Sequence, residues 1–220
     1  MESFEWKRFL EQWSQDVLEC ITQTKEFLAK NKLHYDNYEK QAFTKGSLGF
    51  LGATEAQIVN AENRLGTILP PSYKEFLETS NGWFQLNFSA EHTKIFSAEE
   101  IEWLHLSNND RLIFLLNIFE EKFSFSTSDE NYFVYGEKQD PIHIRSEYLK
   151  TGLAISQEAD GGLYLLNPKI INTSGEWEAW FFSVHHPGAY RYQSFRDLMK
   201  AEYERIIHNC KHILELLSRK

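Results

Sequence analysis

Apolar residues recur every three or four positions near both ends of the chain, which is the spacing of one face of an α-helix. The N-terminal pattern predicts an amphipathic helix over residues 3–28, with an apolar stripe of Trp6, Leu10, Trp13, Val17, Ile21 and Leu28. We expect this stripe to pack on the rest of the chain; docking on a partner or on a second copy is the alternative. Near the C-terminus, Ser194 is placed to cap a long helix whose apolar side carries Phe195, Leu198, Met199, Tyr203, Ile206 and Ile207.

Residues 54–83 have the pattern of two short helices joined by a proline-containing turn. Thr54 and Gln57 have the spacing of a capping box, and Gly66 is a typical helix stop. Pro71 suits the first turn of the second helix, where its missing N–H would be unpaired in any case. The apolar stripes of the two helices are Ile58, Ala61 and Leu65, then Tyr73, Phe76 and Leu77.

The middle of the chain contains short apolar runs of the kind found in β-strands. Ser97 and Glu100 predict a capped helix over residues 98–105, and length favours a helix over residues 108–121. A turn over residues 158–162 predicts a β-hairpin. The order of helices, several strands and a final helix predicts an α+β fold with a mainly antiparallel sheet flanked by helices. The predicted strands are residues 83–88, 132–135, 142–145, 153–156, 163–166 and 177–183.

The residues of the helical hairpin also form a motif. A glutamate helix ending in Arg-Leu-Gly, followed by LPxxYxxFL and then by Ser-Asn-Gly and an aromatic residue, resembles the opening motif of the SUKH superfamily. That superfamily is named after fungal cell-wall-synthesis regulators and includes many bacterial immunity proteins. The resemblance implies a mainly antiparallel sheet flanked by helices. The matching positions are Ile58, Glu62, Leu65, Gly66, Leu69, Pro70, Tyr73, Phe76, Leu77, Asn81 and Gly82.

A weaker part of the resemblance lies downstream, in Asp160-Gly161-Gly162, Gly175-Glu176-Trp177 and Ser194-Phe195. The resemblance covers residues 53–203 and leaves out the first fifty residues.

Residues 31–43 are polar and predict a second, shorter helix. The glycines of residues 45–52 match neither GxGxxG nor GxxxxGK[ST], so we expect a flexible junction there. We therefore divide the chain into a helical N-terminal extension, residues 1–45, and a SUKH-like domain, residues 46–220.

Composition limits the class of protein. Hydrophobic residues make up 42% and aromatic residues 15% of the 220 positions, which is typical of a folded globular protein. Cys20 and Cys210 lie far apart and outside any CxxC pair, so we expect no disulfide framework or zinc ribbon, and a reducing compartment. The first residues lack the pattern of a secretory signal, and the longest apolar run is too short to span a membrane. These features predict a soluble, cytoplasmic protein.

Charge points to a protein partner. The net charge is −9, and residues 91–160 contain 14 acidic and 6 basic side chains. Such a surface disfavours nucleic acid and suits a basic protein. We expect the tryptophans near strands to be mostly core, because aromatic side chains bury a large area. Trp177 and Trp180 are an odd number apart and face opposite sides of a strand, so one should be exposed or under a helix, and one of them is the candidate aromatic anchor. The predicted acidic contacts are Glu120, Glu121, Asp129, Glu130, Glu137, Asp140, Glu158 and Asp160.

Candidate catalytic and metal-binding patterns are weak. The sequence contains neither GxSxG nor HExxH. His208 and His212 share a helical face but have no identifiable third ligand. His186 follows a strand that also carries Glu176 and Glu178, but Pro-Gly turn chemistry explains this segment more simply than general-base catalysis. We therefore expect no catalytic residue, metal or cofactor.

The resemblance implies a bacterial immunity protein that binds and neutralises a toxin domain in the cytoplasm. Many such toxins are nucleases, which must present a basic surface to nucleic acid. The acidic contacts predicted above would block that surface. Two alternatives remain at this point: an intracellular scaffold resembling the fungal regulators, and a hydrolase that uses the histidine or glutamate cluster. The protein is expected to be a monomer or a homodimer.

Overall fold

The computed structural model describes residues 4–30, 37–85, 93–122, 127–159, 161–183 and 188–218. Within these ranges the α-helices are α1 (Trp6–Lys30), α2 (Asn37–Lys45), α3 (Glu55–Leu65), α4 (Pro71–Thr79), α5 (Leu104–Ser107), α6 (Asn109–Lys122), α7 (Asp129–Tyr132) and α8 (Phe195–Ser218). Two 3-10 helices cover Gly136–Lys138 and Ser146–Thr151. The strands are β1 (Trp83–Gln85), β2 (Thr93–Ile95), β3 (Glu102–Trp103), β4 (Leu153–Ala154), β5 (Gly162–Ile171), β6 (Trp177–Ser183) and β7 (Gly188–Tyr192).

All the strand pairs are antiparallel. Five strands form a sheet in the order β3-β4-β5-β6-β7, and β1 pairs with β2. The two sheets meet where Ile95 bridges Ser156 and where the Phe96 N–H donates to the Ile155 carbonyl at 2.8 Å. The predicted α+β fold with a mainly antiparallel sheet, an N-terminal helix and a long C-terminal helix is confirmed.

The five-stranded sheet has a hydrophobic core on each face. Because strand residues alternate between faces, Trp177 and Ala179 of β6 pack in one core and Trp180 and Phe182 in the other. The first core also receives side chains from α1, α3, α4 and α8. The second core receives side chains from α5, α6 and α7. Burial on both faces explains why the first half of β5 and most of β6 carry apolar residues on both sides rather than alternating with polar residues.

The helical hairpin forms as predicted, because its signals are local. Thr54 and Gln57 make the reciprocal hydrogen bonds of a capping box, Gly66 has a left-handed conformation with φ 67°, and Pro71 begins α4. The glutamate of the motif holds the turn between the helices: Glu62 Oε1 accepts the Leu69 N–H at 2.9 Å. The motif residues thus have a structural role in this turn.

The asparagine of the motif extends this role to the next segment. Asn81 Oδ1 accepts the Ala98 N–H at 2.8 Å, and Asn81 Nδ2 donates to Glu99 Oε2 at 3.0 Å. Gly82, at φ 112°, is in a region that other residues rarely occupy. These contacts fix the direction in which the chain leaves α4 and enters β1.

A buried carboxylate joins two helix N-termini to the sheet. Pro70, whose side chain cannot accept a hydrogen bond, stands at the N-cap of α4. Glu176, just before β6, supplies the missing acceptor: its carboxylate accepts the Ser72 N–H at 3.0 Å and the Ser72 hydroxyl at 2.7 Å. The Ser72 Oγ in turn accepts the Arg196 N–H of α8 at 3.3 Å. Burial raises the pKa of Glu176 above its ordinary value, although both Ser72 donors oppose that rise.

The N-terminal helix α1 packs into the first core, so the prediction that its stripe faces the rest of the chain is confirmed. Trp6 stacks on Phe195 of α8 with 5.8 Å between ring centroids, and Trp13 lies 5.4 Å from Trp83. The side chain of Leu28, the last residue of the predicted stripe, lies outside the described residues. Burial of these indoles helps to hold α1 in place, since large aromatic side chains remove a large apolar area from water.

The sequence analysis expected no disulfide framework and did not predict that the two cysteines pair, but they do. Cys20 of α1 and Cys210 of α8 form a disulfide, with 6.2 Å between their Cα atoms. The prediction failed because it took a sequence separation of 190 residues as a sign of distance, whereas α1 and α8 pack side by side. The inference of a reducing compartment rested on unpaired cysteines and therefore loses its support.

Several predicted elements in the middle of the chain differ. Residues 98–100 form only a turn, in which Glu100 Oε2 accepts the Ser97 N–H at 2.9 Å, and β3 and α5 follow. Residues 132–135 and 142–145 are not strands; Tyr132 and Ile144 reach the second core from a short helix and a loop. Residues 31–36 of the predicted second helix and 86–88 of the first predicted strand lie outside the described residues. Within the described ranges, the structure has no helix long and apolar enough to cross a membrane.

We expect the substitution Cys20→Ser to lower the free energy of unfolding by about 2–5 kcal/mol, because the link between α1 and α8 no longer restricts the unfolded chain. The fold should persist, since Trp6 and Trp13 keep their contacts. Urea unfolding at pH 7, with and without a reductant, measures the difference. Reduced wild type and Cys20→Ser should unfold at the same midpoint, with Cys210→Ser as the matched control. A wild-type midpoint that the reductant leaves unchanged would contradict the prediction.

Candidate functional site

The structure brings four of the eight predicted acidic contacts onto one segment, residues 128–141, which we call the acidic loop. Asp129, Glu130, Glu137 and Asp140 all lie there and are exposed. The loop contains α7 and the 3-10 helix Gly136–Lys138. The remaining predicted contacts lie elsewhere: Glu120 and Glu121 in the last turn of α6, Glu158 in the turn before β5, and Asp160 outside the described residues.

The acidic loop covers the outer edge of β7, the last strand of the sheet. Gln139 Oε1 accepts the Arg191 N–H at 2.5 Å, and Gln139 Nε2 donates to the Arg191 carbonyl at 2.8 Å. The Ala189 N–H donates to the Pro141 carbonyl at 3.0 Å. Gly188 is required for this close approach, because a Cβ there would collide with that carbonyl. The loop thereby satisfies backbone groups that an open edge strand would offer to another chain.

A buried charge lies beneath the loop. The Arg191 side chain has no exposed surface, and its guanidinium donates to the carbonyls of Tyr132 and, at 3.4 Å, of Val134. The guanidinium lies 4.2 Å from the centre of the Tyr132 ring and 3.6 Å from the Glu178 carboxylate, which is also fully buried. Since a buried charge is tolerated only when it is paired and hydrogen-bonded, Arg191 requires both the loop and Glu178.

The Glu178 carboxylate is the centre of a network that also includes the loop. It accepts hydrogen bonds from the hydroxyls of Tyr132 at 2.6 Å and Tyr135 at 2.7 Å. Asn167 Nδ2 and Trp180 Nε1 donate to it at 3.0 and 2.6 Å. Burial, followed by the charge of Glu178, raises the pKa of both tyrosines, so they remain protonated donors. We refer to Glu178, Arg191 and these four donors as the buried polar node.

Phe133 is a solvent-exposed aromatic residue next to the buried polar node. Phe133 is 47% exposed, yet the carbonyls before and after it, of Tyr132 and Val134, are both held by Arg191. Its ring lies 5.2 Å from the Tyr132 ring and 5.7 Å from the guanidinium of Arg145, which pairs with Asp129 in the same loop. The sequence analysis missed Phe133 because it assigned residues 132–135 to a strand. The available signal was an aromatic residue within an acid-rich segment.

Neither predicted tryptophan is a surface anchor. Trp177 and Trp180 do face opposite sides of the sheet, but their exposures are only 4% and 1%. Helices cover both faces of the sheet, so each indole lies in a core, and Trp180 also donates to Glu178. The expectation that one of them anchors a partner is therefore corrected.

The candidate metal and catalytic groups are not assembled into a site in the described part of the chain. His208 and His212 are exposed on α8, and among the described residues there is no group of three or more His, Cys, Asp or Glu side chains arranged to hold a metal ion. His186 lies outside the described residues. Glu176 and Glu178, the acids proposed to act with it, are engaged at Ser72 and in the buried polar node.

Comparison with known protein families places most of the chain in one family. Residues 52–201 match the model of the SMI1 / KNR4 family (SUKH-1), which is more than half of the chain. No curated protein matches the chain. The matched range contains the helical hairpin, both sheets, the acidic loop and the first turns of α8. Helix α1 and Cys210 lie outside it.

We expect Arg191→Met to lower the free energy of unfolding by about 3–5 kcal/mol, because it leaves the Glu178 carboxylate buried without its charge partner. Amide exchange in residues 132–141 should accelerate more than elsewhere, since the loop loses the donor to two of its carbonyls. Urea unfolding and hydrogen-exchange mass spectrometry measure the two effects. Arg64→Met, which breaks a partly exposed pair with Glu102 and hydrogen bonds to the Ala98 and Glu99 carbonyls, is the control and should cost clearly less, because water can reach the groups it leaves. Equal effects of the two variants would contradict the prediction.

Proposed function

The chain belongs to the SMI1 / KNR4 family (SUKH-1), and on that premise we propose that it is a bacterial immunity protein that binds and neutralises a toxin domain. The observation that carries the proposal is the acidic loop, which displays four exposed carboxylates on a segment fixed to the sheet. We infer that the partner is a basic protein. A nuclease domain fits this description, because it must present positive charge to its nucleic acid.

The charge of the acidic loop determines how fast a partner would associate with it, which partners it would select and how salt would affect binding. Opposite charges on two proteins raise the rate of association and select against acidic partners, and both effects weaken as salt increases. A loop that already has its bound conformation loses little conformational entropy on association. Occupying the basic face of a nuclease excludes the nucleic acid from it. Inhibition of this kind needs no chemical step, so we assign the protein no catalytic residue, metal or cofactor, and no direct contact with nucleic acid.

The same proposal places the protein in the cytoplasm, where a nuclease toxin would meet nucleic acid. Thiol pools in that compartment keep most cysteines reduced, so the fold must function with the Cys20–Cys210 link open as well as closed. We also propose that residues 1–45 are an extension to a domain of residues 46–220. The match beginning at residue 52 supports this division, and α1 then completes the first core of that domain.

The first test is whether the chain protects a cell from a toxin. The probe is the toxin domain encoded beside the gene for this chain, expressed with and without the chain in a sensitive host. Restored growth and a complex that elutes as one species on gel filtration support immunity. Growth arrest despite stable expression of both proteins would overturn the proposal. The scaffold alternative predicts several bound host proteins instead, and a hydrolase predicts an activity abolished by His186→Ala.

We expect the double substitution Glu130→Lys and Glu137→Lys to weaken binding of that toxin domain by about tenfold or more at low salt, because it reverses two exposed charges of the acidic loop. The loss should come mainly from slower association and should shrink as salt is raised, which surface plasmon resonance at two salt concentrations measures. Glu204→Lys with Glu215→Lys, on the exposed side of α8, makes the same change in net charge and is the control. Equal weakening by both double variants would show that only net charge matters.

A further inference from the structure

We propose that Phe133 is the aromatic anchor of this interface and that it enters an apolar pocket whose rim carries lysine or arginine side chains. This inference rests on the proposed function and names the chemistry of the partner's surface. It replaces the buried tryptophans with a residue that solvent, and therefore a partner, can reach.

The position of Phe133 relative to the acids is the first argument. The Phe133 N–H donates to the Asp129 carbonyl at 3.0 Å, so Asp129 lies one helical turn before it. Glu130 is three residues before Phe133, a spacing that makes two side chains neighbours on a helix surface, and both are exposed. Glu137 and Asp140 follow in the same loop. The ring is thus an apolar centre in a segment with four carboxylates, one of which, Asp129, pairs with Arg145 beside the ring. An apolar centre within a charged, polar rim is the usual anatomy of a protein-binding hot spot.

The rigidity of its backbone is the second argument. Arg191 holds the carbonyls on both sides of Phe133, and the hydroxyls of Tyr132 and Tyr135 are tied to Glu178. Exposed loop residues are in general more mobile than the elements they connect, and these contacts restrain Phe133. An anchor whose main chain is already fixed loses less conformational freedom on binding, so more of the burial energy of the ring appears as affinity.

The chemistry of the occupant follows from the site. A half-exposed phenyl ring gains free energy by entering an apolar pocket, and the surrounding carboxylates gain by meeting cationic side chains. Nucleic acids and anionic membranes carry the wrong charge for this rim. A basic protein surface with an apolar depression satisfies both requirements, and we commit to that occupant.

The test uses two fluorescein-labelled peptides as probes, Lys-Lys-Leu-Phe-Lys-Lys and Lys-Lys-Gly-Gly-Lys-Lys, titrated at low salt and followed by anisotropy. We expect wild type to prefer the apolar-centred peptide by about tenfold, and Phe133→Ala to lose this preference while still binding the glycine peptide in a salt-dependent way. Leu51→Ala, at a side chain that is 92% exposed, is the matched control and should keep the preference. Thermal unfolding checks that each variant is folded.

The outcomes separate the anchor from the proposed function. If Phe133→Ala keeps the preference while Glu130→Lys with Glu137→Lys loses binding of both peptides, the anchor is overturned and the acidic surface stands. If wild type binds neither peptide, the acidic loop is not a site for basic partners, and both ideas fail for that surface.

With the toxin domain itself, Phe133→Ala should raise the dissociation rate about thirtyfold and leave the association rate nearly unchanged. Rescue by Phe133→Trp, with Phe133→Ala failing, supports an aromatic anchor specifically.

Discussion

A pair of opposite charges with no exposed surface, Glu178 and Arg191, makes the sheet and the acidic loop depend on each other. Each charge alone in this position would be strongly unfavourable, and the pair is tolerated because the loop completes it. Tyr132 and Tyr135 donate to the carboxylate, while the carbonyls of Tyr132 and Val134 receive the guanidinium. Lifting the loop from the sheet would break these hydrogen bonds and separate the buried charges from the loop groups that pair with them, so the contacts hold this irregular segment against the sheet.

Two other buried carboxylates play comparable parts on the opposite side of the molecule. Glu176 joins the starts of α4 and α8 through Ser72, and Glu202 of α8 accepts from Gln85 of β1 at 2.7 Å and Tyr164 of β5 at 2.6 Å. These contacts, like those of the motif residues in the hairpin, hold the architecture together. The proposed function resides elsewhere, on a loop that the architecture supports, which is how one fold serves several partners.

Structural features that depend on residues nearby in the sequence were predicted correctly, whereas features that depend on residues distant in the sequence were missed. The capping box at Thr54, the stop at Gly66 and the restart at Pro71 involve only nearby residues, and all three are confirmed. Residues 132–135 are aromatic and β-branched, as strand residues often are, but the donors and acceptors that shape them come from β6 and β7. The burial of Trp180 has the same origin, since only the fold reveals that helices cover both faces of the sheet. The four acids of the proposed site were predicted because they are close together in sequence.

The disulfide between Cys20 and Cys210 also changes how the protein would respond to mechanical load. A pull applied to the chain before residue 20 and after residue 210 passes directly through the sulfur–sulfur bond, because the two cysteines are covalently joined. The segment between them, which contains both sheets and the acidic loop, lies outside the path of the force. An unfoldase that translocates the chain from its N-terminus would therefore meet a cross-linked point at Cys20. Its pore would have to accommodate more than one polypeptide segment there, or translocation would stop until the disulfide is reduced.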